Sequence, residues 1–95
     1  MNLILPLKGV YFDAIAAGTK LEENRLCTDY WKRRLIGRSY ENIILTRGYP
    51  RKDDQSRRIV CKWNGYKIKT ITHEHFGPDP VEVFAIDVSV KGGAA

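Results

Sequence analysis

Lys20, Glu23 and Arg25 stand close together in one stretch, just after Gly18. Their types suit a phosphorylated, base-bearing ligand. Lys20 offers a compact cation to a phosphate. Arg25 offers a planar fork for bidentate contact with a phosphate or a base edge. Glu23 can accept hydrogen bonds from a base amino group, or hold Arg25 in place. In a regular strand over residues 20–27, alternation puts Lys20 on one face with Glu22, Asn24 and Leu26. Leu21, Glu23, Arg25 and Cys27 fall on the other. Convergence of all three charges therefore requires an irregular strand start, or a Lys20 still in the turn after Gly18. Without convergence, Glu23 and Arg25 form a structural ion pair and Lys20 is the cation that a helix C-terminus favours.

The charge distribution extends this candidate site. Residues 25–69 hold thirteen Lys or Arg against four acidic residues, and the remainder holds three against seven. The middle is thus about +9 and the flanks about −4, which sum to the formal net charge of +5. Such asymmetry points to a polyanionic partner, with a solvated basic face as the alternative. Arg33 and Arg34, with Lys32 and Arg38, then Arg47, Arg51 and Lys52, then Arg57 and Arg58, are separated by Tyr30, Tyr40 and Tyr49. Basic groups interleaved with aromatic faces suit single-stranded RNA. Trp31 and Trp63 are assigned to the core.

Other chemistries find less support. His73-Glu74-His75 lacks a Cys pair or a third spaced ligand, and no metal or other cofactor is expected. The two histidines fit better as a loop pair near a cleft mouth, with acid–base capacity. No glycine-rich phosphate loop, serine nucleophile elbow or glycosidase carboxylate pair is visible. Cys27 and Cys61 make no disulfide framework and read as small buried thiols of a reducing compartment. Leu3-Ile4-Leu5 is a short apolar run ended by Pro6, unlike a secretory signal. No apolar stretch nears the roughly 20 residues of a membrane span. A cytoplasmic protein without a membrane partner is expected.

The elements that must position these residues follow from periodicity. Residues 2–7 read as a strand. Residues 10–17 read as a short helix, with Tyr11 and Ile15, and Phe12 and Ala16, each four apart. Gly18 can take the left-handed conformation that ends it. After the strand at 20–27, Thr28 is a good N-cap for a basic helix over 29–35, whose inward residues are Trp31 and Leu35. Residues 41–47 read as a strand with Ile43 and Leu45 on one side and Ile44 on the other. A charged loop follows, then a long β region over 57–72. Within it the apolar parity shifts by one residue at Asn64-Gly65. A tight hairpin and a bulge or bend in one strand both explain that shift. The last strand covers 81–90, with Phe84, Ile86, Val88 and Val90 inward. Residues 1–90 read as a single domain and 91–95 as a disordered tail. The class is α+β, mainly β, and the absence of helical crossovers between the later strands favours a compact barrel.

The run from Leu5 to Arg25, carrying Gly18, Lys20, Glu23 and Arg25 as Gly-x-Lys-x-x-Glu-x-Arg, resembles the ASCH domain family. Val83-Phe84-Ala85-Ile86 is similar to that family's closing strand. The resemblance implies a PUA-like small β-barrel of about five to six strands with two short helices. It also implies a bent strand at Asn64-Gly65, and a cleft beside the first helix lined by Lys20, Glu23 and Arg25. It implies RNA or nucleotide binding in RNA metabolism or its regulation. Some family members are hydrolases of RNA or of N4-acetylcytidine, and the resemblance then makes Lys20 and Glu23 the catalytic candidates. The deacetylating group has a Thr where this chain has Glu23, which counts against that activity. The expected order of functions is an RNA- or nucleotide-binding module, a small hydrolase, and a protein-interaction module. The binding candidates are Lys20, Glu23, Arg25, Arg33, Arg34, Arg47, Arg51 and Lys52.

Overall fold

The computed structural model describes residues 1–89, and at His75 the backbone only. The expectations for Val90, the 91–95 tail and the His75 side chain lie outside the described residues. Along the chain run β1 (Asn2–Leu7), α1 (Gly9–Ala16), β2 (Glu22–Leu26), α2 (Asp29–Leu35), β3 (Asn42–Arg47), β4 (Arg58–Lys62), β5 (Tyr66–Ile71) and β6 (Val81–Asp87). Short 3-10 turns at Gln55–Arg57 and Glu74–Phe76 complete the regular structure. Over the described residues the result is a small α+β fold, mainly β, with six strands and two α-helices.

Leu3, Leu5 and Leu7 alternate with polar or exposed neighbours, so β1 presents one apolar face. It pairs in parallel with β3, Leu3 beside Ile43 and Leu5 beside Leu45. β4 completes this sheet antiparallel to β3, in the order β1-β3-β4. The parallel pairing requires a crossover, and the segment α1-β2-α2 supplies it. Pro6 is tolerated because β1 is an edge strand, where a missing N–H breaks no ladder bond. The second sheet has the order β2-β6-β5 and is antiparallel throughout. Among the described residues the two ladders remain separate three-stranded sheets and do not close into a barrel.

The core is shared by both sheets and both helices: Leu3, Leu5, Ile43 and Leu45 meet Phe84 and Ile86, with Phe12 and Ile15 from α1 and Leu35 from α2. Each such side chain contributes about 1.5–3 kcal/mol on burial. The α1 stripe is Phe12 with Ile15, not Ala16, which is exposed. β6, the central strand of its sheet, is buried on both faces, since Val83 and Ala85 are as inaccessible as Phe84 and Ile86. The simple alternation expected for it describes an edge or half-exposed strand instead.

The parity shift at Asn64-Gly65 marks a corner between sheets. β4 pairs with β3 and β5 pairs with β6, so the two segments do not form a hairpin. The chain turns at 63–65, with Gly65 at a φ of +80° that few other residues adopt. A strand that changes sheets at a bend is the usual way to turn such a corner. Trp63 packs edge-on against Tyr40 here, with ring centroids 5.1 Å apart.

No helix among the described residues is long and apolar enough to cross a membrane.

Candidate functional site

The exit from α1 decides where Lys20 goes. Gly18 adopts a φ of +80° and reverses the chain. The carbonyl of Ala14 then accepts hydrogen bonds from the backbone N–H groups of Thr19 and Lys20, at 3.0 and 3.2 Å. The Thr19 hydroxyl donates to the same oxygen. Lys20 is thereby held in the turn, two residues ahead of β2, and alternation does not apply to it. Glu23 and Arg25 lie within β2 on one face, opposite Ile86 and Phe84 of β6.

The three charges converge on one carboxylate. Lys20 Nζ lies 3.5 Å from Glu23 Oε1, and Arg25 Nη2 lies 3.2 Å from Glu23 Oε2. The Glu23 side chain is only 9% exposed, and those of Lys20 and Arg25 about a quarter exposed. A carboxylate this buried needs such partners, because an unpaired buried charge is costly. Arg25 also donates to the carbonyl of Pro6 at 3.0 Å. That oxygen lies on the edge of β1 away from β3, so Arg25 ties the edge of one sheet to the edge of the other. The Arg25 guanidinium sits 5.3 Å from the centre of the Trp31 ring, and the Lys20 ammonium 5.3 Å from that of Tyr11. Both are cation–π distances.

These groups form the wall of a cleft of about 370 Å³. The end of β1 and Lys8 supply one side, Tyr11 and Lys20 a second, and β2 with Trp31 a third, while His73 and Phe76 stand at the loop side. The volume is that of a small-ligand site. The charges of Lys8, Lys20 and Arg25 outweigh that of Glu23, so the lining favours an anion. One buried polar atom of the wall, Arg25 Nε, has no hydrogen-bond partner. Buried polar atoms are normally satisfied, and exceptions concentrate where a ligand or solvent completes the network.

α2 is placed by its own sequence. Thr28 Oγ1 accepts from the backbone N–H of Trp31 at 3.4 Å, as its N-cap position suggests. Leu35 is fully buried and anchors the far end. Trp31, assigned to the core from sequence, packs against the core and also faces the cleft. Its distance from Lys20 in sequence hid that role.

The remaining basic candidates do not join the cleft wall. Arg47 forms an ion pair with Asp13 at 3.3 Å and packs against Gly9. Arg51 and Lys52 are exposed on the 48–57 loop, and Arg33 is exposed on α2. The Arg34 guanidinium is 5.4 Å from the Tyr30 ring centre and 5.7 Å from that of Trp31, outside the wall. Tyr11 and Asn24 were not singled out as site residues in the sequence. The four-residue spacing of Tyr11 from Ile15 marked it only as part of an apolar stripe.

Among the described residues no group of three His, Cys, Asp or Glu side chains could hold a metal ion. Burial pushes the Cys61 thiol above its usual value, and Asp87 adds to the effect. Cys27 is raised likewise, by burial and then Glu82. Raised thiol values keep both sulfurs protonated and poorly nucleophilic.

The chain matches no family model, no curated protein and no solved structure.

Proposed function

We propose that the protein binds RNA or a nucleotide in this cleft, as an ASCH domain on a PUA-like barrel scaffold. The observation that carries the reading is the convergence of Lys20 and Arg25 on the buried Glu23 carboxylate. That arrangement fixes two cations with donor capacity left toward a cleft walled by Tyr11 and Trp31. Lys20 and Lys8 meet the phosphate. Arg25, held by Glu23, Pro6 and Trp31, presents a set geometry to a base edge or a second phosphate oxygen. Trp31 and Tyr11, each carrying a cation, form apolar walls against whose edges a base packs. Two three-stranded sheets around one core are compatible with an open, PUA-like barrel.

A hydrolase is the second reading, favoured by one observation: His73 and Lys20 line the same cleft. In that case Lys20 acts on the substrate and His73 moves the proton. Glu23 suits the task of holding Lys20 and Arg25 better than that of a free acid or base, because both its oxygens are engaged.

Titration of a labelled single-stranded RNA at low and moderate salt tests both readings, with the RNA examined for cleavage. Salt-sensitive binding of intact RNA that Lys20→Ala weakens about tenfold is the expected result. Cleavage that disappears with Lys20→Ala selects the hydrolase. No binding at low salt by the wild type, to RNA or to mononucleotides, overturns the cleft reading.

A further inference from the structure

Trp31 stands between the cleft and a second aromatic group on the outside of α2. On the cleft side it carries the Arg25 guanidinium. Beyond it, the Tyr30 ring packs edge-on, with centroids 5.1 Å apart and planes at 89°. Arg34, one turn further along α2, lies close to both rings. Cations and rings therefore alternate from the cleft outward: Arg25, Trp31, Arg34, Tyr30.

Tyr30 takes no part in the buried core and is 54% exposed. Its surroundings are nevertheless fixed. The Thr28 cap holds the start of the helix and Leu35 its end. The last turn is tied by Arg38 Nε donating to the Arg33 carbonyl at 3.1 Å, and by the Tyr40 hydroxyl donating to the Arg34 carbonyl. A ring held in this way needs little further ordering to bind, which favours affinity. Lys32, Arg33 and Arg34 against Asp29 give α2 a net positive charge. Perpendicular rings cannot both stack on bases that remain stacked on each other. They suit a single strand whose bases are splayed apart.

We infer that Tyr30, backed by Arg34, is a second base-stacking subsite, taking the nucleotide next in the strand to the one in the cleft. The inference rests on the cleft reading and deepens it. The ligand becomes single-stranded RNA of at least two nucleotides, and a free mononucleotide fills only half of the surface. Arg33 and Lys32 then meet the phosphate that leads away from Tyr30.

The test is a calorimetric titration of the wild type, Tyr30→Ala and Tyr30→Phe with the four 5′-mononucleotides and with tetra-adenylate and tetra-uridylate. The wild type is expected to bind a tetranucleotide about tenfold more tightly than its best mononucleotide. Tyr30→Ala is expected to lose about fivefold or more of tetranucleotide affinity, leave mononucleotide affinity unchanged, and Tyr30→Phe to retain both. Equal wild-type affinities for mononucleotide and tetranucleotide, with no effect of Tyr30→Ala, overturn the subsite and leave the cleft standing. So does an equal loss of both ligands in a folded Tyr30→Ala, which would place Tyr30 as a support for Trp31. Absence of wild-type binding to every probe removes the cleft reading and the subsite together.

Discussion

The cleft and the loop over residues 48–57 are both rich in charge, and they use it differently. In the cleft, Glu23 and its local partners Lys20 and Arg25 are tied to other elements: Arg25 to Pro6 of β1 and Trp31 of α2, Lys20 to Tyr11 of α1. In the loop, the paired charges find their partners within the loop itself and at the first residue of β4. Arg58, at its end, donates to the carbonyls of Arg51 and Asp54 at 2.8 and 2.9 Å. Arg57 pairs with Asp54 at 3.2 Å, and Asp54 in turn accepts from the N–H and hydroxyl of Ser56. The loop is a self-contained turn, with Arg51 and Lys52 projecting from it into solvent. Density of positive charge does not by itself mark a binding site. Convergence of charges tied to separate elements is the better ground for proposing one, because there the geometry is fixed before a ligand arrives.

Breaking the cleft has the largest expected effect. Arg25→Ala removes a charge-assisted pair to a buried carboxylate, the cap on the Pro6 carbonyl and the cover on Trp31 at once. A loss of about 2–4 kcal/mol in unfolding free energy is expected from urea denaturation. Ligand binding is expected to vanish with it. Arg25→Lys keeps the charge but cannot bridge Glu23, Pro6 and Trp31 together, so it should recover less than half of the loss. Full recovery by lysine would reduce Arg25 to a simple counter-charge.

Breaking the loop at its organising residue comes next. Arg58→Ala leaves the exposed Arg51 carbonyl and the partly buried Asp54 carbonyl without their donor. A loss of about 1–2 kcal/mol is expected, confined in hydrogen exchange to residues 48–58. RNA affinity should change little. An effect on affinity as large as that of Lys20→Ala would merge the two regions into one interface.

The exposed loop cations sharpen the contrast from the binding side. Arg51→Ala combined with Lys52→Ala is expected to leave stability within about 0.5 kcal/mol. If the loop steers RNA without holding it, affinity at moderate salt falls about twofold or less. The slope of log affinity against log salt then changes by less than the ~0.7 expected for a lost single-strand phosphate contact. A change of a full contact per residue would make the loop part of the binding surface.

Much of this architecture was legible in the sequence. The order of elements, the 29–35 helix with its Thr28 cap, and the two faces of β3 all follow from local periodicity and capping. Alternation reports which face a side chain takes, not which strand lies beside it. The parallel pairing of β1 with β3 was therefore out of its reach, while at Asn64-Gly65 the parity shift left a hairpin and a bend both open, and the pairing of β4 with β3 and of β5 with β6 decides for the bend. Lys20 illustrates the same limit within the site. Its position depends on the Ala14 carbonyl collecting the Thr19 and Lys20 amides, which no strand pattern encodes. Trp31 reads as core because large aromatics usually are, and its second role appears only once β2 and α2 are adjacent. Arg47, Arg51 and Lys52 stand out by charge count, a property that does not say whether a side chain pairs with an acid, as Arg47 does with Asp13, or projects into solvent, as Arg51 and Lys52 do.

The smallest expected effect is also the one that most cleanly separates the regions, because it titrates the loop alone. The Asp54 carboxyl is held below its ordinary value, first by the Ser56 hydroxyl; partial desolvation, next in size, opposes this, and Arg57, the Ser56 amide and Arg58 add to the lowering. A carboxyl lowered in the folded state contributes stability above its unfolded value, near 3.9, and loses it as pH falls through the lower folded value. Acidification below about pH 4 should therefore loosen the loop. The Ser56 amide resonance is the direct reporter, since that N–H donates to Asp54 at 3.2 Å. It is expected to titrate with a midpoint below that of a free aspartate, and to lose the transition in Asp54→Asn. The Arg25 guanidinium resonances are expected to follow the same course with pH in Asp54→Asn as in the wild type, because Asp54 takes no part in the cleft. A changed course in that variant would show that the loop and the cleft open as one cooperative unit.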